Sequence, residues 1–278
     1  MRLHFCGVRG STPAPGREFV RYGGHTSCVA LAHDGGLPSL ILDAGTGLRR
    51  VTALLGDRPF QGTILLGHLH WDHVHGLPFF GAGFRTGHRV DVLLPAVDGD
   101  PLSTLARGLS PPHFPVSPTE LGTGWTFGAL DAGRLSTEGF DVVVREIPHK
   151  GGRTFGFRVT DGNHTIAYLS DHFPLAAGDG PDGLGAYHGA ALELAAGVDV
   201  LLHDAQFTAS EFPAVAYLGH SAVEYAAGLA VAAGAKSLVL FHHAPDRTDD
   251  EIDVIVKSQT GARVPVSAAV EGAEMTLS

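Results

Sequence analysis

The stretch that decides the fold is Thr63-Ile-Leu-Leu-Gly-His-Leu-His-Trp-Asp-His-Val-His-Gly76, an apolar run that leads directly into histidines and an aspartate. The spacing of His68 and His70 can aim both imidazole rings at one ion from an extended backbone. After the chain turns, Asp72 and His73 can reach a second ion nearby. A carboxylate with imidazoles favours zinc, with manganese or iron as alternatives, over calcium and magnesium, which prefer all-oxygen sites. The stretch therefore predicts a strand that ends in a metal site.

Two further residues of this stretch have less direct interpretations. His75 is an alternative ligand, but the sequence favours a place beside the ligands or at the surface. Gly76 is interpreted as the residue that lets the chain bend tightly after the motif. The chain holds 17 histidines, more than packing or solubility requires, so their clustering here is the informative observation.

Short β-rich runs recur on both sides of the motif, and most are continuous apolar runs rather than strict alternations. Such runs predict strands covered on both faces, with sheets inside and helices outside. The ten predicted strands are Leu3–Val8, Ser27–Leu31, Ser39–Asp43, Thr63–Gly67, Val90–Leu94, Asp141–Ile147, Thr154–Thr160, His164–Ser170, Val198–His203 and Ser237–His242.

Helices are predicted from their start and stop signals. Ser221 with Glu224, and Thr248 with Glu251, have capping-box spacing, and these two helices are expected to run to Gly234 and Gly261. Weaker helices are predicted at Leu48–Leu55, Pro101–Leu109 and Tyr187–Ala196, and irregular loops at Pro111–Pro118 and Pro174–Gly185. No linker or repeat divides the chain, so residues 1–278 are expected to form a single domain.

Composition excludes several classes of protein. The 278 residues are 44% hydrophobic and 17% charged, which excludes disorder, and no apolar window reaches the ~20 residues of a membrane span. The N-terminus lacks the pattern of a secretory signal, and the only two cysteines, Cys6 and Cys28, are expected to be free buried thiols in a cytoplasmic protein. A net charge of −10 disfavours extended nucleic acid as a partner. The oligomeric state is left open, with a homodimer among the alternatives.

The motif H-x-H-x-D-H resembles the first motif of the metallo-β-lactamase superfamily of binuclear metallohydrolases. The resemblance implies an α/β fold in four layers, an αβ/βα sandwich with two mixed β-sheets packed face to face and helices outside. It also implies three later ligands at strand ends, which match His149, a bridging Asp171, and His242. His243 competes for the last position, because strand alternation lets only one of two adjacent side chains face the site.

A narrower resemblance, to the ribonuclease Z branch of that superfamily, concerns the segments Leu202-His-Asp-Ala-Gln-Phe207 and Gly219-His-Ser221. It implies an acidic residue at Asp204 and a catalytic histidine at His220. The tRNA-processing enzymes of that branch carry a long arm between the third motif and the bridging aspartate. Here only 21 residues separate His149 from Asp171, so that arm is missing.

These resemblances imply a hydrolase with two divalent transition-metal ions, zinc first and manganese or iron as alternatives. The expected substrate is a small phosphodiester or cyclic nucleotide, attacked by a hydroxide that bridges the ions. Asp72 would bind the second metal and orient the nucleophile. His220, held by Asp204, would stabilise the transition state or protonate the leaving oxygen. The alternative for His220 is a structural place at the entry of a helix.

Three other functions stay open at this stage. The first is a ribonuclease Z-like RNA endonuclease, and the second is a lactone or thioester hydrolase of the same fold. The third is a metal or nucleotide sensor without turnover. The glycine-rich turns at residues 7–10 and 45–47 are interpreted as strand-end turns or, less favoured, as a phosphate cradle. Asp43 either orients a ligating histidine or caps the following turn, and His113 with Phe114 are candidates for a substrate rim.

Overall fold

A computed structural model describes residues 1–96, 100–174, 178 and 180–278, and these residues contain two seven-stranded β-sheets. The first sheet contains β1 (Arg2–Gly7), β2 (Cys28–Ala32), β3 (Leu40–Leu42), β4 (Gln61–Leu65), β5 (Arg89–Pro95), β6 (Trp125–Leu130) and β14 (Glu274–Thr276), in the order β14-β1-β2-β3-β4-β5-β6. The second contains β7 (Gly133–Thr137), β8 (Phe140–Glu146), β9 (Phe155–Thr160), β10 (Thr165–Leu169), β11 (Val200–Asp204), β12 (Leu238–Phe241) and β13 (Val266–Ala268), in the order β13-β12-β11-β10-β9-β8-β7.

Each sheet is half antiparallel and half parallel. In the first sheet β14, β1, β2 and β3 pair antiparallel, whereas β3, β4, β5 and β6 pair parallel. In the second sheet β7, β8, β9 and β10 pair antiparallel, whereas β10, β11, β12 and β13 pair parallel. The carboxyl ends of the parallel strands are where open sheets commonly place their sites.

Seven α-helices cover the outer faces and connections. They are α1 (Leu48–Leu54), α2 (Trp71–Val74), α3 (Pro101–Ala106), α4 (Gly189–Ala195), α5 (Phe212–Val215), α6 (Val223–Ala233) and α7 (Asp249–Ser258) in the described part of the chain. The longest of them, α6, has 11 residues, and none of the described helices is long and apolar enough to cross a bilayer.

Three layers of apolar side chains hold the sheets and helices together. In β3, Leu40 and Leu42 point into the core between the sheets, while Ile41 points to the outer core beneath α1. This alternation is the two-residue period of a strand. On the second sheet, Leu201 faces the outer core with Leu229 of α6. The four-layer αβ/βα sandwich expected from the sequence is therefore confirmed.

The ten predicted strands are all present, with ends shifted by at most two residues, but four strands were missed. These are β6, β7, β13 and β14, which are the four edge strands of the two sheets. An edge strand makes backbone hydrogen bonds along only one side. In addition, β13 and β14 have only three residues each, so they lack a long apolar run. The irregular loop at Pro111–Pro118 is confirmed, whereas part of the predicted loop Pro174–Gly185 lies outside the described residues.

The predicted capping box at Ser221 is wrong, and the one at Thr248 is confirmed. Helix α6 begins at Val223 after Ala222, because the Ser221 hydroxyl donates to the His172 carbonyl oxygen instead. The Glu224 carboxylate accepts from the backbone N–H of Ala209. Tertiary partners have replaced the local cap. The second helix, α7, ends at Ser258, three residues before the predicted stop.

A buried arginine ties the loop after β1 to the segment that follows β12. The side chain of Arg9 is fully buried, and its Nε donates to the Gly23 carbonyl oxygen at 2.7 Å. Its Nη1 donates to the carbonyl oxygens of Ala244 at 3.0 Å and Arg247 at 2.6 Å. Its Nη2 lies 3.7 Å from a carboxylate oxygen of the buried Asp249. Arg9 therefore donates hydrogen bonds to three carbonyl groups and places its positive charge beside one buried carboxylate.

We expect Arg9→Met to lower the free energy of unfolding by about 3 kcal/mol, because it removes the hydrogen bonds to three carbonyl oxygens and the cation beside the buried Asp249. Urea unfolding of both proteins measures the difference. The exposed Arg58→Met is the matched control and should change the same quantity by less than about 0.5 kcal/mol. Equal stabilities of Arg9→Met and the unchanged protein would show that the buried contacts contribute nothing net.

Candidate metal centre

The predicted ligands lie where strands of both sheets end. From the first sheet, β4 leads to His68 and His70, and α2 then carries Asp72 and His73; from the second, His149 follows β8, Asp171 follows β10 and His242 follows β12. All seven are brought together at one edge of the two sheets, in two groups that share a boundary. The structure therefore assembles the whole predicted set.

The first group consists of His68, His70 and His149, whose ligand atoms lie within 4.8 Å of one another. The Nε2 of His149 lies 3.3 Å from the Nδ1 of His70. The Nδ1 of His149 is 2.7 Å from the carbonyl oxygen of Gly219, to which it donates, so its Nε2 is left with a lone pair that faces the group.

The second group consists of Asp72, His73, Asp171 and His242, all buried and also within 4.8 Å of one another. The Oδ2 of Asp72 lies 3.2 Å from the Nε2 of His73 and 3.1 Å from the Nε2 of His242. One carboxylate oxygen thus approaches both rings, as expected if all three converge on one ion.

Asp171 lies between the two groups. Its Oδ1 is 3.8 Å from the Nε2 of His68 and 3.5 Å from the Nε2 of His149. Its Oδ2 is 2.9 Å from the Nε2 of His73 and 3.3 Å from the Nε2 of His242. Each oxygen therefore faces a different group, which is the arrangement that a bridging carboxylate requires.

Several atoms of this cluster are buried without a hydrogen-bond partner in the described chain. They include the Nε2 atoms of His68 and His73 and the Oδ2 of Asp171. Buried polar atoms in proteins are normally satisfied, and unsatisfied ones indicate a missing ion or water. Imidazole nitrogens with two carboxylates match the donor preferences of zinc, manganese or iron. The residues present therefore fit two groups of transition-metal ligands.

Asp43 supports one of the ligating rings, as one of its two sequence interpretations predicted. Its Oδ2 lies 2.8 Å from the Nδ1 of His73 and accepts a hydrogen bond from the Tyr168 hydroxyl at 2.8 Å. Its Oδ1 accepts from the backbone N–H of Gly67 at 2.7 Å. These contacts are the ones that the orienting interpretation predicts, because they leave the other ring nitrogen, Nε2, facing the candidate ligands.

Two residues near Asp72 were missed by the sequence reasoning. The backbone N–H of Ser11 donates to the Oδ2 of Asp72 at 2.8 Å. The carboxamide of Gln206 donates to the Ser11 hydroxyl at 3.2 Å and lies 3.4 Å from the Nδ1 of His242. Gln206 lies two residues after Asp204, in the segment that resembles the ribonuclease Z branch. Its closeness to Asp204 in the sequence was the signal that could have identified it.

The two adjacent histidines after β12, His242 and His243, point in different directions, and only His242 faces the cluster. His243 turns away from the cluster, and its Nε2 donates to the Ala269 carbonyl oxygen at 3.0 Å. Burial lowers the pKa of His243 to about 3, so this ring is neutral. His242 faces Asp72 and Asp171 from a left-handed backbone conformation with φ 57°. Such strain in a residue with a side chain is common at functional sites.

His220 and Asp204 form a pair at the edge of the second group. The Nδ1 of His220 donates to the Oδ2 of Asp204 at 2.8 Å and lies 3.7 Å from the Oδ1 of Asp171. Asp204 is fully buried and also accepts from the backbone N–H groups of His172 and Gln206. The imidazole is therefore held by a carboxylate that is itself fixed by the backbone.

The charges of the cluster shift the pKa values of its members. Burial opposes ionisation of Asp171, but the nearby His242 and His73 outweigh it and hold the pKa of Asp171 well below its usual range. Burial keeps the pKa of His68 well below 6.5, so its ring is neutral as a ligand must be. Burial also opposes the charged form of His220, but Asp204 outweighs it and raises the pKa of His220 to about 9.

The glycines around the motif serve close packing. Gly76 has φ −76° and ψ −22°, an ordinary helical conformation, so the prediction that it permits a tight bend is wrong. A Cβ there would lie 2.0 Å from the Gly45 carbonyl oxygen, and one on Gly10 would lie 2.3 Å from the His242 ring. These positions require glycine because backbone or ring atoms approach too closely. The turns are better described as packing turns than as a phosphate cradle.

A cleft of about 360 Å³ opens over the cluster and gives a substrate access to it. Its lining includes Ser11, Trp71, Asp72, Asp171 and His220. Trp71 is 69% exposed at this mouth and its ring stacks on that of His75, with centroids 5.5 Å apart. His75 lies outside the metal-ligand groups found among the described residues.

Comparison with known proteins agrees with this architecture. Residues 39–243 match the Beta-lactamase superfamily domain. A ribonuclease Z of Synechococcus sp. (strain WH7803) is 26% identical over 291 residues, covering 88% of this chain and 85% of the relative. The chain belongs to the β-lactamase superfamily, in the metallo-β-lactamase fold.

Two solved structures are similar in fold. The metallo-β-lactamase fold protein YhfI from Bacillus subtilis superposes with a TM-score of 0.75 at 19% identity, covering 99% of each chain. A diphosphatase from the PhnP family has a TM-score of 0.69 at 17% identity, covering 100% of this chain and 98% of its own. At these identities the likeness shows the fold alone.

Proposed function

We propose that this protein is a phosphodiesterase that uses two transition-metal ions to hydrolyse small phosphodiesters, cyclic nucleotides among them. The observation that carries the proposal is the pair formed by His220 and Asp204, in which His220 lines the same cleft as Asp72 and Asp171 and the buried Asp204 holds its ring. A metal site alone serves many hydrolytic reactions, whereas a histidine held beside it can assist departure of an alcohol.

The broader assignment rests on family and relatives. Membership of the β-lactamase superfamily together with the ribonuclease relatives makes this chain a hydrolase that acts on ester bonds. The relative from Synechococcus is named for action on RNA, whose linkages are phosphodiesters. The same linkage in a smaller molecule is therefore the first substrate class to test.

The two groups of ligands suggest how the ions are distributed. His68, His70 and His149 would hold one ion, Asp72, His73 and His242 would hold the other, and Asp171 would be shared. The nitrogen and oxygen donors favour zinc, with manganese or iron as alternatives. When bound, such ions lower the pKa of water towards neutrality and offset the charge that gathers on phosphorus oxygens.

The chain itself contributes positioning and a proton. Asp43 fixes the His73 ring, and Ser11 fixes the Asp72 carboxylate, so neither ligand has to be ordered during reaction. The Nδ1–H of His220 donates a hydrogen bond to Asp204, and its Nε2 has no hydrogen-bond partner among the described residues. A proton on Nε2 would pass to the departing alcohol oxygen as the phosphorus–oxygen bond breaks.

The segment between the third ligand and the shared aspartate supports a small substrate. From His149 to Asp171 the structure contains the antiparallel pair β9 and β10 and short turns, so there is no protruding arm to hold a folded RNA. The net charge of −10 would also repel a polyanion.

We expect precursor tRNA to be cleaved with a kcat/KM at least about tenfold below that for bis-p-nitrophenyl phosphate, because like charges slow the encounter. One metal-loaded preparation should be assayed on both substrates over a range of salt concentrations. Raising the salt concentration should reduce the difference between the two kcat/KM values, since salt screens the repulsion. A precursor cleaved as fast as the small diester at low salt would make ribonuclease Z the better description.

The direct test of the proposal is a substrate panel with the zinc- and manganese-loaded protein. Simple diesters, cyclic mononucleotides and dinucleotides should be hydrolysed in preference to lactones and thioesters. The Asp171→Ala protein is the matched control for contaminating activity. Turnover of lactones or thioesters without turnover of any diester would overturn the proposal.

A further inference from the structure

A second cavity, of about 440 Å³, lies next to the metal cleft and has no role in the chemistry described above. Its volume is within the usual range for a small-molecule site. Its floor and walls are mainly apolar and include Pro13, Pro78, Phe79, Leu109 and Phe114. A pocket of this kind needs an occupant with a large apolar surface.

The cavity shares two chain segments with the metal cleft. Helix α2 carries Asp72 on the cleft side, and His75, three residues later, lines the second cavity. Residues three apart are neighbours along a helix. Similarly, Ser11 donates to Asp72, and Pro13, two residues further, lines the second cavity. Neighbouring residues of the same two segments thus line both spaces, which places the cavity within reach of a ligand held in the cleft.

Aromatic rings at the entrance have the geometry of a stacking site. Phe79 is 56% exposed, which is unusual for such a large apolar side chain, and its ring meets that of Phe114 edge to face at 5.9 Å. The exposed Trp71 stacks on His75 at the boundary between the two cavities. Faces of aromatic rings left open in this way suit a flat ring system of similar size.

Polar groups are placed around this apolar floor. The side chains of His25, His75, His113 and Arg49 line the same cavity. Arg49 is exposed, and its guanidinium makes no hydrogen bond or ion pair with any other described residue. An acyl chain would leave these donors without acceptors, whereas a nucleobase offers carbonyl oxygens and ring nitrogens along its edge.

We propose that this cavity holds the base of a nucleoside phosphodiester whose phosphate lies at the metal ligands, with Phe79 and Phe114 packed against the ring and Arg49 donating to its carbonyl oxygens. The proposal rests on the proposed function, since that function places the phosphate. It narrows the substrate class from any small diester to one that contains a nucleoside.

The test compares two esters with the same leaving group, the p-nitrophenyl ester of thymidine 5′-monophosphate and methyl p-nitrophenyl phosphate. The unchanged protein should have the higher kcat/KM for the nucleoside ester. Phe79→Leu should lower that value about tenfold, the order of one lost base–aromatic stack, and leave the methyl ester unaffected. Arg49→Gln should lower it in the same selective manner.

Two control variants carry the same types of substitution outside the cavity. Phe84→Leu alters an exposed phenylalanine whose ring meets Trp125 outside the cavity, and Arg263→Gln removes an exposed arginine elsewhere. Both should retain the preference for the nucleoside ester. Equal kcat/KM for the two esters in the unchanged protein would overturn the proposal, as would an unaltered preference in both Phe79→Leu and Arg49→Gln.

A binding measurement distinguishes failure of the base-site proposal from failure of the proposed phosphodiesterase function. If the unchanged protein hydrolyses neither ester, the phosphodiesterase assignment fails, and calorimetry with thymidine 5′-monophosphate and methyl phosphate then tests the cavity alone. Tighter binding of the nucleotide that is weakened about tenfold in Phe79→Leu would support a base site. Equal binding of the two phosphates would overturn it.

Discussion

Asp171→Ala should lose most of both metal ions, and its kcat on small diesters should fall by more than about 10³-fold, the equivalent of several kcal/mol of charge stabilisation. The reason is that its two oxygens face different groups of ligands. Oδ1 approaches His68 and His149, and Oδ2 approaches His73 and His242. Elemental analysis of protein purified without chelator gives the ion content per chain.

His75→Ala is the control for this experiment, because it removes a histidine of the same motif that lies outside the ligand groups. It should retain close to two ions. Thermal unfolding of Asp171→Ala without added metal should show that the fold survives the substitution. Retention of two ions by Asp171→Ala would refute the bridging role. Fewer than two ions in the unchanged protein, with no recovery on adding zinc or manganese, would refute the binuclear site itself.

His220→Ala should keep both ions and the fold but lose about 10²–10⁴-fold in kcat and kcat/KM together, the usual contribution of a positioned acid or base. The ring lies in the cleft and belongs, with Asp171, Asp204 and His242, to a third cluster of possible ligands, but neither of the two groups that contain the seven predicted ligands includes it. Diesters with poor leaving groups should lose more activity than p-nitrophenyl esters, since they depend more on protonation of the departing oxygen.

Asp204→Asn tests the other half of the pair. The amide can no longer balance the charge on the His220 ring, so activity should fall in the same direction but by less than in His220→Ala. Equal losses of His220→Ala on good and poor leaving groups would remove the proton-transfer role and leave charge stabilisation. Unchanged activity of His220→Ala on every diester would show that His220 has only a structural role at the entry of α6.

The cluster of candidate ligands that the structure brings together was predictable because its signal is local. His68, His70, Asp72 and His73 lie within six residues, and a short motif of this kind restricts both the fold and the positions of later ligands. The contacts that position these ligands were not predictable in the same way. Tyr168 reaches Asp43 across 125 residues of sequence, and no local pattern reports such a contact.

The secondary-structure prediction likewise succeeded where the signal is local and failed where it is not. Strands in the centre of each sheet carry apolar runs, so β4 and β11 were found readily, whereas the three-residue edge strands β13 and β14 carry no such run. The error at Ser221 has another cause. Its spacing to Glu224 satisfies the capping rule, but both side chains bond to residues far along the chain. Local propensity was overridden by tertiary contacts.

The division of the ligands between the two sheets also concerns the order of events when the chain folds. His68 and His70 come from the first sheet and His149 from the second, while Asp72 and His73 come from the first and His242 from the second. Neither half of the sandwich can complete a binding site alone, so tight loading must await docking of the halves. An ion bound there would link the two sheets, and its binding energy would oppose their separation. Metal supply would govern the lifetime of the folded chain as well as its chemistry.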